Sequence, residues 1–89
     1  MIKQTTRIPN KLGLHARPSA LLVSTATHYK SEVFFTKEDL RVNGKSIMGV
    51  MMLAAEQGSE LLVECDGPDE QEALEAIVRV IESGFGEMD

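Results

Sequence analysis

The stretch Pro68-Asp69-Glu70-Gln71-Glu72-Ala73-Leu74-Glu75-Ala76-Ile77-Val78-Arg79-Val80-Ile81-Glu82-Ser83-Gly84 carries the clearest structural signal in the chain. Ala73, Leu74, Ile77, Val78 and Ile81 recur at the three- and four-residue spacings of one helix face. Pro68 precedes the segment, Asp69 with Glu72 has the spacing of a capping box, and Gly84 supplies a stop. A helix with one apolar stripe must lay it on another layer. The residues just before it supply one, because Glu60 to Cys65 reads as a strand with Leu61 and Val63 on one face. Further back, Ser46 caps a short helix over Ile47 to Leu53, which Gln57-Gly58 ends. Glu32 to Thr36 and Leu40 to Val42 read as strands joined by Lys37-Glu38-Asp39, with a turn at Asn43-Gly44. Ser19, Leu22, Val23 and Ala26 form one stripe of a helix from Ala16 to about Tyr29, with Pro18 in its first turn. Ile2 to Ile8 is a first strand, ended by Pro9-Asn10. The order βαββαβα predicts an α+β open-faced sandwich, in which three helices cover one face of a four-stranded antiparallel sheet. Residues 1–89 are expected to form one domain.

Composition removes several function classes. Fourteen acidic against nine basic residues leave a net charge of −5, and there is no Trp and one Tyr. A nucleic-acid binder needs a basic face or stacking aromatics, so nucleic acid is not an expected partner. No apolar run reaches membrane-spanning length and the N-terminus lacks an apolar signal core, so no membrane role is expected and the cytoplasm is the expected compartment. Cys65, the only cysteine, lies in an apolar run and reads as a buried structural thiol. His15 and His28 stand at opposite ends of one helix without other ligands, so neither a metal nor a cofactor is expected. The acid is unevenly placed: Met1 to Ser31 contains no Asp or Glu. The first third is therefore the natural place for an anion or an acidic partner.

Within that third, Gly13-Leu14-His15-Ala16-Arg17-Pro18 puts a histidine just before a helix and an arginine two residues on. The free N–H groups of the first turn, at Ala16 and Arg17, and the positive end of the helix dipole disfavour an imidazolium there. A neutral ring nitrogen can attack a phosphate, and the same N–H groups with the Arg17 guanidinium can then hold its oxygens. The plainer possibility is a helix-capping histidine with a charged neighbour. The hexapeptide as a whole resembles the phosphohistidine motif of the HPr family, the phosphocarriers of the phosphoenolpyruvate-dependent phosphotransferase system, and the resemblance extends from the first strand to the last helix. It implies that His15 takes a phosphoryl group on Nδ1 from phosphoenolpyruvate through enzyme I, with Arg17 as its electrostatic partner, and passes it to an enzyme IIA-type domain. No independent turnover of a small molecule is expected.

Gly44-Lys45-Ser46 looks like the tail of a P-loop, but Asp39 stands where that motif needs its first glycine. The segment Lys45 to Met51 instead resembles the regulatory region of HPr proteins from bacteria with an HPr serine kinase/phosphorylase. That implies phosphorylation at Ser46, where the added charge opposes docking of an acidic partner. Ile47, Met48, Met51 and Met52 cannot all face inward from so short a helix, and adaptable Met side chains suit a surface that meets several partners. The resemblance assigns Ile47, Met48, Met51, Ala20 and Leu12 to partner binding. Position 12 is often small and polar in the family; with Leu12 here, polar support for the ring falls to Asn10 or to backbone groups. Asn10 to Gly13 and Glu82 to Phe85 look like the nitrogen-related NPr branch, whereas the Ser46 segment looks like the sugar-transport branch. A monomer is expected, since transfer needs an accessible His15. Two rivals remain: a regulatory binding protein controlled mainly through Ser46 phosphorylation, and an α/β module that binds a small effector.

Overall fold

The computed structural model describes residues 1–87. They form β1 (Ile2–Arg7), α1 (Ala16–Thr27), β2 (Glu32–Lys37), β3 (Leu40–Asn43), α2 (Ile47–Met52), β4 (Glu60–Asp66) and α3 (Glu70–Glu82), then a 3₁₀ turn at Gly84–Gly86. The sheet order is β1-β4-β2-β3, and every pair is antiparallel. This is the open-faced sandwich expected from the helix stripes. β1 meets β4 with Ile2 opposite Cys65 and Arg7 opposite Glu60, while β2 meets β4 with Val33 opposite Cys65 and Phe35 opposite Val63. The period of two then turns Leu61, Val63, Cys65, Val33 and Phe35 to the covered face, where all five are buried.

Both long helices bury the stripes that the sequence marks: Ser19, Leu22, Val23 and Ala26 on α1, and Ala73, Leu74, Ile77, Val78 and Ile81 on α3. α3 packs over β1 and β4, α1 against α2 and α3, and α2 next to β3. Cys65 lies inside this core, and burial, followed by the charges of Glu70 and Asp69, pushes its thiol up to about 11. It is unreactive at neutral pH. On the bare face the outward residues Phe34, Leu62 and Glu64 are only half exposed. The Arg41 guanidinium lies 3.9 Å from the centre of the Phe34 ring, and its Nε donates to Glu64 Oε1 at 3.1 Å. An ion-paired cation thus covers the Phe34 ring on the open face.

The start of α3 departs from the sequence reading. Asp69 is the N-cap residue, but it makes no side-chain capping bond, and its backbone (φ −117°, ψ 31°) is not the extended conformation that a capping box uses. Its carboxylate crosses to the α1–β2 loop, accepting from Ser31 Oγ at 2.6 Å and from the Ser31 and Lys30 N–H groups at 2.9 Å each. Glu70 Oε1, rather than Glu72, accepts the Gly67 N–H. Two loops distant in sequence are stapled at this point. Gly67 completes the staple, with φ at 157° and room for no side chain: a Cβ there would lie 2.6 Å from Ser31 Cα.

The bonds from Ser31, then from Lys30, hold the Asp69 carboxyl down at about 2 against an ordinary 3.8. Because the folded value is the lower one, the staple contributes fully above 3.8 and is lost as pH falls through about 2. Asp69→Asn should therefore lower the urea midpoint at pH 7, and its difference from the wild type should close across that window. A constant difference from neutral to acid pH would rule out the ionised carboxylate as the source.

Candidate functional site

β1 leads directly into the site. After Arg7 the chain stays paired to the segment before β4, with Ile8 N–H donating to Ser59 O at 3.0 Å and Gly58 N–H to Ile8 O at 2.7 Å. The loop from Pro9 to Leu14 then closes on itself. Asn10 is 1% exposed; its Nδ2 donates to Gly13 O at 2.9 Å, and its carbonyl accepts the Gly13 N–H at 3.2 Å. Gly13 has a left-handed φ of +69°, and a Cβ there would stand 2.4 Å from Ala55 O. Only glycine fits both requirements. The next N–H, of Leu14, donates to that same Ala55 O at 2.8 Å, and buried Ser19 Oγ donates to Leu14 O at 3.2 Å. The backbone before His15 is thus fixed on both sides.

His15 is the N-cap of α1 by backbone only. It is extended (φ −77°, ψ −172°), its carbonyl accepts the Ser19 N–H at 3.0 Å, and its ring makes no capping bond. The capping role that a lone histidine could fill is therefore not what holds this ring. Among the described residues the N–H groups of Ala16 and Arg17 have no hydrogen-bond partner, Pro18 has none to offer, and the first turn carries no acid.

The ring is held from the far end of the chain. Past α3, Phe85 is buried with φ at 60° between Gly84 and Gly86, and the Glu87 N–H donates to Gly84 O at 3.0 Å. This turn brings Glu87 back to the His15 loop. Glu87 Oε1 accepts from Asn10 Nδ2 at 2.8 Å and lies 2.9 Å from His15 Nε2. The bonds from His15, then from Asn10, with the Arg17 charge adding to them, hold the Glu87 carboxyl below its usual range. An ionised carboxylate only accepts, so His15 Nε2–H is the donor, and in the neutral ring the lone pair then resides on Nδ1. The Asn10 orientation follows equally, because a flipped amide would set its oxygen against two acceptors. Its Oδ1 is buried without a partner among the described residues, a cost accepted to place Nδ2.

Asn10, one of the two supports left open once position 12 is Leu, reaches the ring through Glu87 rather than directly. The acid-free first third acquires its carboxylate only in three dimensions, from a residue 72 positions away. The one sequence cue was Gly84-Phe85-Gly86, glycines flanking an apolar anchor, and it marks a turn without naming what the turn meets.

Ser46 caps α2, with Oγ accepting from Gly49 N–H at 3.1 Å and its own N–H donating to Asn43 O. Lys45 Nζ donates to Tyr29 O at 2.8 Å and ties this loop to the end of α1. Only Val50 of α2 is buried, which leaves Ile47, Met48 (77% exposed), Met51 and Met52 outside. Ala20 is exposed on α1, and Leu12 is 74% exposed on the His15 loop. Among the described residues no group of His, Cys, Asp and Glu could hold a metal ion, and no helix is long and apolar enough to cross a membrane.

The family model described as the PTS HPr component phosphorylation site matches residues 2–83. The phosphocarrier protein HPr of Neisseria meningitidis serogroup B is 56% identical over 87 residues, which cover 98% of both chains. The crystal structure of HPr-C-His from Thermoanaerobacter tengcongensis superposes with a TM-score of 0.96 at 47% identity, covering all of both chains. That of an HPr dimer from the same organism gives 0.79 at 48% identity, covering 98% of this chain and all of the other.

The fixed backbone before His15 makes Gly13 the sensitive position. Gly13→Ala should lose about 1–3 kcal/mol in urea unfolding, from the left-handed φ and the clash with Ala55 O together. An unchanged midpoint would show that the loop can relax at no cost.

Proposed function

Because the chain belongs to the HPr family, the phosphocarriers of the phosphotransferase system, we propose that His15 receives a phosphoryl group from phosphoenolpyruvate through enzyme I and hands it to an enzyme IIA-type domain. The observation that carries this reading is the ring itself: excluded from capping, protonated on Nε2, and set before two first-turn N–H groups. The Nδ1 lone pair forms the new N–P bond as the donor's P–N bond breaks and its electron pair returns to the donor ring. Ala16 and Arg17 N–H groups take the phosphoryl oxygens, with the Arg17 guanidinium as counter-charge. His15 is regenerated once the phosphoryl group moves on, which suits a relay better than an independent enzyme.

Leu12, Ala20, Ile47, Met48 and Met51 form the surface on which partners dock, and a monomer leaves that surface open. Ser46 is the control point, where an HPr serine kinase/phosphorylase would act. Its hydroxyl already receives the Gly49 N–H, so a phosphate there is compatible with α2 while adding roughly −1.5 to −2 charge beside the apolar surface. Whether the phosphoryl group then serves sugar uptake or nitrogen control depends on the acceptor.

Incubation with phosphoenolpyruvate and enzyme I should add one acid-labile phosphoryl group to the wild type and none to His15→Ala, read by intact mass. Failure of the wild type to gain it would favour a regulatory protein governed through Ser46. Ser46→Asp should slow the initial rate of that gain; equal rates over a range of enzyme I concentrations would remove Ser46 from the control of transfer.

A further inference from the structure

We propose that Glu87 is a positioning residue for His15, holding the ring proton on Nε2 and balancing the ring charge that appears when a phosphoryl group arrives. The second half rests on transfer at His15, while the first half stands on the unphosphorylated chain alone.

The contact is built rather than incidental. Glu87 is 19% exposed at its side chain and His15 is 38% exposed, so the pair is partly withdrawn from water. Three anchors fix the carboxylate: buried Phe85, the turn bond from Glu87 N–H to Gly84 O, and Asn10 Nδ2. Asn10 is itself pinned to Gly13. A free imidazole moves its proton between both nitrogens. A fixed acceptor 2.9 Å from Nε2 places the proton of the neutral ring there and leaves its Nδ1 bare.

The charge argument follows from electron balance. Attack by Nδ1 of a neutral ring forms the N–P bond without loss of the Nε2 proton, so the product is a phosphorylated imidazolium. Its positive charge then faces the Glu87 carboxylate. Onward transfer breaks the N–P bond and leaves the pair on Nδ1. From a ring still protonated on Nε2 the leaving group is a neutral imidazole; without that proton it would be an anion. The carboxylate therefore favours acceptance through its charge and, by keeping that proton in place, lets a neutral imidazole depart on release.

Two variants separate the roles. In Glu87→Gln the amide oxygen, selected by Asn10 Nδ2, still accepts from Nε2–H but carries no charge. Glu87→Ala removes both. At a pH where the ring is neutral, ¹⁵N spectra of the unphosphorylated proteins should show protonated Nε2 and unprotonated Nδ1 in the wild type and Glu87→Gln, and averaged signals in Glu87→Ala. Transfer from phosphorylated protein to an enzyme IIA-type acceptor should slow roughly three- to tenfold in both variants. A Glu87→Ala spectrum identical to the wild type would overturn the positioning role, and wild-type transfer in Glu87→Gln would overturn the charge role. If the wild type accepts no phosphoryl group, the transfer reading fails, and the spectra alone still decide the proton's place.

Discussion

β4 lies between β1 and β2, and the rest of the molecule depends on that insertion. The last strand made is an inner strand of the sheet, so neither β1 nor the β2–β3 hairpin belongs to a complete sheet without it. The same pairing runs on past the strands themselves. Ile8 meets the 58–59 backbone, and Leu14 meets Ala55, so the register that aligns Arg7 with Glu60 also sets where the His15 loop begins and ends. α3, laid over β1 and β4, then brings the 84–87 turn to the same corner. The site is the place where three consequences of one strand pairing converge.

The parts of this arrangement that were legible in the sequence are those governed by short-range periodicity and local capping. The α1 and α3 stripes are buried as their spacing requires, Ser46 caps α2 as its position indicates, and the large apolar residues of α2 are too many for one buried face. What the sequence left hidden is polar and long-range. Asp69 has local cap spacing, yet its oxygens find better donors on Ser31 and Lys30 across the molecule. Glu87 has no local pattern at all, and its meaning comes only from the glycine-bounded turn that returns it to His15. Hydrophobic order repeats along a chain and can be counted, whereas a single hydrogen bond between distant loops leaves no repeat to count.

The two carboxylates do opposite work with the same physics. Asp69 accepts three bonds, all from stationary groups of the fold, and its role is to hold two loops. Glu87 divides Oε1 between a stationary donor, Asn10, and a ring whose chemistry changes. Asn10 is the cost of that division, since the buried amide leaves its own oxygen without a partner among the described residues. Leu12, on the same loop, is 74% exposed to solvent.

The place of β4 also has a meaning in time. A ribosome makes the chain from one end, so β1 is complete at residue 7 but its sheet neighbour does not begin until residue 60. At typical synthesis rates that interval is roughly 3–10 s. During it the strand that leads to the histidine has no neighbour, and the loop has neither Ala55 nor the 58–59 backbone to close against. The growing chain therefore shows its histidine long before it has the frame that gives the histidine a fixed position. Early chaperone contact with this protein would fall on an unpaired first strand rather than on a preformed site.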